Sequence, residues 1–573
     1  MHDIVIRGGT IIDGSGTAPF SGDLAIDGDR IVQVGGKAGP GRREVKTDGR
    51  VVTPGWVDIH THYDGQATWD PVLAPSSVHG VTTLVFGNCG VGFAPARARD
   101  RQALIDLMEG VEEVPGVVFT EGMRWEWESF NEYLAALARL PRTVDIGTQL
   151  AHHPLRVYVM GERALRREAA TPEDIAAMQA LAEQAMAAGA FGITTSRTDQ
   201  HKTLAGELVP GRHADVEELM GLARALRSAG RGALGLNADF DDVDAEFAWM
   251  RAFSRESGGR PVYFLLFDRP HDPGRLARLV AGIRAARVEE GLPLIGQVGG
   301  RPAGLLLGLS TDINPFGLRE GFAALSRLPL PERLARLRDP AVRAAILAEE
   351  ASPRLIELLP PLSRACAQEW ERMYVLGDPP DYEPTAERSL AAMAARVGVS
   401  AEKYCYDYLA GGDGGRMLFF PLVNYVTGDH SVVHDLLTDP DTLFGLSDGG
   451  AHCGSICDGA IPTFMLTHWV RDRARGPRLP LEFVVKRMTS ETANFMGLTD
   501  RGRLAPGLKA DVNVIDLERL RSHHPEMVAD LPAGGRRLIQ RVEGYGMTMV
   551  SGVPVFEEGQ ETGARPGTLL RAR

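Results

Sequence analysis

"GWVDIHTHYDG", residues 55–65, places two histidines one residue apart at the end of an apolar run. On a β-strand alternate side chains share a face, so His60 and His62 point the same way. A pair of neutral imidazoles presented together is what a divalent metal takes up. The same pattern also fits a strand end with two polar residues in water, so the rest of the chain has to decide between the two.

Working outward, residues 1–53 read as short strands: "DIVIRGGTIID", "GDLAIDGDRIVQVG" and "GRVVTPG" mix β-branched residues with Gly/Asp turn signals. The "DGD" at 27–29 predicts a hairpin. From Val57 apolar strands alternate with amphipathic segments of helical length. The strand-like stretches are "VDIHTHYD", "TTLVFGNCG", "VDIGTQLAHH", "AFGITTS", "ALGLNADF", "PVYFLLFD", "LPLIGQVGG" and "LFGLSDGGAH". Between the fourth and its predecessor, "TPEDIAAMQALAEQAMAAG" carries a cap at Thr171, proline at 172, Asp174 at the capping-box position and Gly189 as the stop. "DVEELMGLARALRSAG" is a second such helix.

Eight strands alternating with helices predict an α/β fold, a (β/α)8 TIM barrel; a doubly wound open sheet is the alternative. The barrel would span 54–502. Its last connection, 301–442, is about 140 residues long and helix-rich, which predicts an inserted helical subdomain, a lid over the site. Strand texture returns after 503, so 1–53 and 503–573 would together form a small β-sandwich domain.

The formal net charge of −13 argues against a nucleic-acid or anionic-membrane partner, either of which wants a basic face. No stretch approaches the ~20 apolar residues of a membrane span, and the first residues do not read as a signal peptide. Five unevenly spaced cysteines do not form a disulfide framework; Cys453 and Cys457 read as packing residues, and a cytoplasmic location is the expectation. A homo-oligomer is compatible with all of this.

Barrel enzymes carry their reacting groups at the C-terminal strand ends. There the sequence offers His60, His62 and Asp64, then Asn88 and Cys89, His152 and His153, Asn237 and Asp239, Asp268, and finally Asp448 and His452. Metal-competent residues thus recur along one predicted rim.

"VTPGWVDIHTHYD", "GVTTLVFGNCGVGFAP", "SDGGAH" and "MTSETANFMGLTDRGRLAPGLKADVNVID" resemble the amidohydrolase superfamily and, within it, the D-aminoacylase (N-acyl-D-amino-acid deacylase) branch. The resemblance implies the barrel, the two-ended β-domain and a metal-dependent hydrolase that activates water to cleave a linear or cyclic amide C–N bond. It makes His60, His62, Cys89 and Asp448 metal ligands, with Asp448 also the catalytic acid/base. Lactone or ester hydrolysis on the same scaffold, or a binding protein that has lost the chemistry, are the alternatives.

Two departures stand out. The branch carries histidines at the ends of strands five and six, where this chain has Asn237 and Leu265 or Leu266. Leucine cannot bind zinc and asparagine binds it weakly, so one Zn2+ per chain is the expectation, two the alternative. His152, His153, His201, Lys202, Asn237 and His452 are the residues that could complete an additional site, the first four reading better as surface or hydrogen-bonded residues. The branch also has an arginine after the S-D-G aspartate to hold a substrate carboxylate, whereas "SDGGAHCGSICDGAIPTF" offers only His452.

Overall fold

The computed structural model describes residues 1–359, 364, 366–367 and 369–573. Eight parallel strands run Trp56–Asp58, Val81–Phe86, Asp145–Thr148, Ile193–Arg197, Leu234–Ala238, Val262–Leu265, Leu294–Gly299 and Thr442–Leu446. The third is continued beyond Gln149 by Leu150–Ala151, and the two halves pair with the strands on either side. Each remaining strand pairs in parallel with its successor. The ring closes through a parallel bridge between Thr61 and Gly449. There the His62 N–H donates to Gly449 O at 2.8 Å and the Asp448 N–H to His60 O at 3.1 Å. The backbone that closes the barrel is therefore the backbone that carries the two histidines and the aspartate.

Strands covered on both faces read as continuous apolar runs, and every residue of Val81–Phe86 is buried. The helix Pro172–Ala188 begins with the reciprocal Thr171–Asp174 capping box and ends at Gly189 in the left-handed conformation. The "DGD" hairpin joins Phe20–Asp27 to Arg30–Val34.

The strands from the two chain ends share one nine-stranded sheet. Its hinge is His2–Ile11, whose first part pairs with Gly41–Lys46 and whose last residues pair with Val51–Pro54. Val512–Ile515 joins the C-terminal strands to Val51–Pro54. Ile6, Leu24, Val52, Val514 and Met547 form its apolar interior. Residues 567–572 leave this sheet and run along the barrel floor, where the Leu570 N–H donates to Ile146 O at 2.7 Å. Beside them Asp145 is buried between Arg501 Nη1 and Lys509 Nζ, each at 2.6 Å.

Between the seventh and eighth strands, Gly304–Gly308, Tyr374–Val375 and Met417–Pro421 make a separate antiparallel sheet. With helices such as Leu330–Leu337 and Ala401–Ala410 it encloses its own core around Leu305, Phe316, Leu337 and Tyr406. This segment touches the rim. The Leu306 N–H donates to Ser455 O at 2.7 Å, and Asn424 exchanges hydrogen bonds with the Asp268 backbone.

Candidate metal centre

His60 and His62 lie just past the first strand, in the bridge that closes the ring. Their Nε2 atoms converge on one carboxylate oxygen: Asp448 Oδ1 is 3.3 Å from His60 Nε2 and 3.5 Å from His62 Nε2. Cys89 Sγ is 3.6 Å from His60 Nε2. The donor atoms of His60, His62 and Cys89 all lie within 4.8 Å of one another. Tetrahedral zinc with nitrogen or oxygen ligands at ~2.1 Å and sulfur at ~2.3 Å separates its ligands by roughly 3.4–3.6 Å, so these spacings fit.

The other ring nitrogens are held by groups no linear motif marked. His60 Nδ1 meets Gln297 Oε1 at 2.8 Å and His62 Nδ1 faces Glu112 Oε1 at 3.2 Å. With Nδ1–H turned to an outer acceptor, Nε2 is left as the ligand atom; this is how metal-binding histidines are commonly oriented. Gln297 is a buried amide within the apolar seventh strand. Glu112 ends the helix Arg101–Glu112 on the buried stripe of Leu104 and Met108, four residues apart. A carboxylate on a core-facing stripe was the signal that could have found it.

The backbone supports the same assignment. Cys89 (φ 53°), Asp448 (φ 48°), His452 (φ 50°) and Glu113 (φ 54°) are all non-glycine residues in the left-handed region. Such strained positions persist where the surroundings over-determine them, and they cluster at functional sites. Gly450, two residues after the aspartate and at φ 92°, turns the chain away and passes the His62 carbonyl.

The electrostatics call for a cation. Burial pushes the Cys89 thiol well above its ordinary value, and Glu112, Asp448 and Asp64 push it further. Burial, helped by Glu112 at Asp64 and by Asp448 at Asp58, brings both carboxyls up to about 7. Burial lowers His60 to about 4. Burial also works against charge on His62, but Glu112 and Asp448 outweigh it and raise that group. Burial would raise Asp448 too; His62, close beside it, and the charges of His60 and His452 hold it well below the carboxylate range. Both His62 ring nitrogens are buried without a well-formed hydrogen bond. A divalent ion would take up His62 Nε2 and displace the protons retained on Cys89 and on the His62–Glu112 pair.

Residues 43–556 match the amidohydrolase family. The chain belongs to that family. D-aminoacylase of Alcaligenes xylosoxydans xylosoxydans is 29% identical over 571 residues, covering 99% of this chain and 97% of the relative. N-acyl-D-aspartate deacylase of the same organism is 28% identical over 576 residues, covering 99% and 95%. A solved D-aminoacylase structure, concerned with one-metal activation and second-metal attenuation at a binuclear centre, superposes with a TM-score of 0.64 at 25% identity over the whole of both chains. This amidohydrolase is thus a D-aminoacylase-like hydrolase of carbon–nitrogen bonds.

The remaining rim residues of the amidohydrolase divide into those near the centre and those held elsewhere. His452 lies beside it: Nε2 is 3.9 Å from Glu112 and Nδ1 is 3.4 Å from Glu113. Burial opposes its charge, but Glu113 and Glu112 raise it to about 10, so it is protonated at neutral pH. His201 folds back over the rim, where Nδ1 meets Ser196 Oγ at 2.7 Å and Nε2 approaches Asn237 Nδ2 at 3.4 Å. Burial, then His452 and His62, lower it to about 3. Neither His201 nor Asn237 joins the His60–His62–Cys89 group; Asp448 also stands outside that group of three and meets it through the two histidines alone. Lys202 is half-buried and pairs through its backbone with Leu208.

The sequence pattern puts His152 and His153 at the end of the third strand. Instead the chain turns at Ala151, and both start the helix His152–Met160. The turn sends His152 away from the centre, to Thr195 Oγ1 at 2.9 Å and Glu218 at 2.8 Å. His153 Nδ1 accepts from the Gly211 N–H. Asp239 is held by Thr198 and the Asp199 N–H. Leu265 and Leu266 are buried apolar residues. Asn88 bonds backbone carbonyls of Thr61 and Val85 and supports the first two strand ends. Cys453 and Cys457 are buried. No helix among the described residues is long and apolar enough to cross a membrane.

Proposed function

We propose that this amidohydrolase removes the acyl group from N-acyl-D-amino acids or closely related amides, using one Zn2+ held by His60, His62, Cys89 and Asp448. The observation that carries the reading is the convergence of two oriented Nε2 atoms on Asp448 Oδ1, with the Cys89 thiol alongside. When bound, zinc supplies a Lewis acid for the amide carbonyl and lowers the pKa of water toward neutrality. Gln297 and Glu112 keep the two imidazoles aimed inward. Asp448 is ionised at neutral pH and its side chain is 23% exposed, so its carboxylate can take a proton from the attacking water. It then returns that proton to the leaving nitrogen as the C–N bond breaks. His452, charged and next to Asp448, is the cation that faces an anionic substrate group. Asn237, Leu265 and Leu266 support a single metal, since they give a second one no histidine pair. The inserted segment over the rim contacts at 454–455 supports its reading as a lid.

The test is zinc analysis of fresh protein with a hydrolysis screen of N-acetyl-D- and L-amino acids, cyclic amides and lactones. The expected result is about one zinc and cleavage of N-acyl-D-amino acids. Zinc-loaded protein that hydrolyses lactones and no amide would overturn the assignment.

A further inference from the structure

A second group of histidine and carboxylate atoms lies outside the centre described above. We propose that Glu383, His430 and His468 bind a second divalent transition-metal ion, with zinc as the natural choice, and that this ion fastens the inserted segment to the barrel. Glu383 and His430 come from the long connection before the eighth strand. His468 comes from Met465–Asp472, a stretch of widened π-helical turns after it. Such turns are rare and recur at functional sites.

The geometry is that of a ligand set. His430 Nδ1 and His468 Nε2 are 3.1 Å apart, His468 Nε2 and Glu383 Oε2 3.2 Å, and His430 Nδ1 and Glu383 Oε2 4.0 Å. These values bracket the ~3.4 Å between ligand atoms of tetrahedral zinc. The tautomer of His430 is fixed by an independent contact: Nε2 lies 2.8 Å from the Tyr382 carbonyl, which only an N–H can satisfy. The neutral ring then turns a bare lone pair at Nδ1 into the cluster, the outer-carbonyl arrangement of metal-binding histidines. Glu383 Oε1 accepts from the His430 backbone N–H at 2.7 Å and from Arg473 Nη2 at 3.2 Å, while Oε2 faces the imidazoles and takes only a long contact, 3.4 Å, from Arg473 Nε. Phe464 stacks on His468 at 4.5 Å and fixes that ring. His430 and Glu383 are 0% and 4% exposed and His468 15%, so an ion enters on the His468 side and keeps water in its fourth position.

The test uses the full-length protein, stripped with chelator, incubated with ZnCl2 and freed of excess by gel filtration. Wild type should carry one more zinc per chain than either His468→Ala or His468→Gln. Glutamine can still donate to Glu383, so a cluster that only hydrogen-bonds would survive that change with its zinc content unaltered. Zinc-loaded His468→Gln should keep kcat/KM within about two-fold of wild type. Titration of stripped wild type with Co2+ gives a readout free of any variant: one equivalent should bring d–d absorption without thiolate charge transfer, because this site has no sulfur. Equal zinc in wild type and His468→Gln, or cobalt uptake that stops at the thiolate-bearing equivalent, would overturn the proposal.

Discussion

The two candidate metal clusters each set two histidines against a carboxylate, the rim adding Cys89, but they differ most in the charge around them. At the barrel rim Asp58, Asp64, Glu112 and Asp448 are packed about His60 and His62, and among the described residues no arginine or lysine pairs with any of the four. At the second cluster the single carboxylate, Glu383, is already paired with Arg473. Buried charge has to be neutralised, by a partner, a proton or a metal. At the rim His452 is the cation set against four carboxylates, and the rest of the charge is met by protons given up reluctantly, so a divalent cation is the strongest available solution. The second cluster is nearly balanced without one. The difference teaches that similar ligand spacing does not mean similar affinity: both ions should survive gel filtration, but the second should be held more weakly than the rim ion.

The largest expected effect is at Asp448. Asn is nearly isosteric but can neither accept a proton nor supply full charge, so Asp448→Asn should lower kcat by ~10²-fold or more while zinc is retained through the histidines and Cys89. Steady-state kinetics on metal-analysed protein checks this. No substitution at Glu383, His430 or His468 should approach that loss, and a zinc-bound Asp448→Asn of wild-type rate would place the proton-transfer group elsewhere.

Next comes Glu112. Its carboxylate orients His62 and adds negative charge to the rim, whereas the second cluster uses the neutral Tyr382 carbonyl for the same task. Glu112→Gln should therefore weaken zinc at the rim by about 10–100-fold, the usual scale for losing an outer partner. Competition against a chromophoric chelator measures it. Unchanged affinity would mean that the Asp448 side alone aims His62.

The comparison sharpens with pH. Burial and nearby acids raise Cys89, and Glu112 and Asp448 raise His62, so both retain protons near neutrality that a metal must displace. Rim affinity should rise with pH, about ten-fold per unit for each proton released. At the second cluster burial keeps His430 neutral, down to about 3; His468, His430 and Arg473 outweigh burial and hold Glu383 at about 2. Neither has a proton to lose at pH 6–8. Zinc titrations across that window, with proton release followed in weak buffer, should show a steeper slope for the tight class than for the weak one. A reversed order would exchange the two assignments.

How much of this was legible depends on distance along the chain. The period-two placement of His60 and His62, the capping box at Thr171 and the eight alternating strands are local patterns, and local chemistry is what a sequence displays most directly. The turn at Ala151 was hidden because "QLAHHPLRV" supports a strand end and a helix start equally well. Gln297 acquires its meaning only when the seventh strand lies against the first. The second cluster joins residues 47 and 38 positions apart, with no motif to connect them. The closing run 567–572 reads as one more piece of the β-domain, yet it settles on the barrel floor through backbone bonds that any residue type can make.

The smallest expected effect concerns His201, the remaining imidazole over the rim. It is a test of how many ions the rim holds. Its Nδ1 is tied to Ser196 and its Nε2 faces the Asn237 amide rather than the His60–His62–Cys89 group. Burial and the neighbouring His452 keep it neutral, so it adds no charge to the site at pH 7. If its role is that one hydrogen bond, His201→Ala should cost about 1 kcal/mol, at most a five-fold change in kcat/KM, and leave the zinc content untouched. If His201 instead swings in to replace the histidine absent at Asn237, the variant should lose zinc outright and activity with it. Metal analysis of His201→Ala beside wild type separates the two. A fall of one full equivalent in a folded variant would make the rim binuclear, with His201 the ligand that the linear motif of the fifth strand lacks.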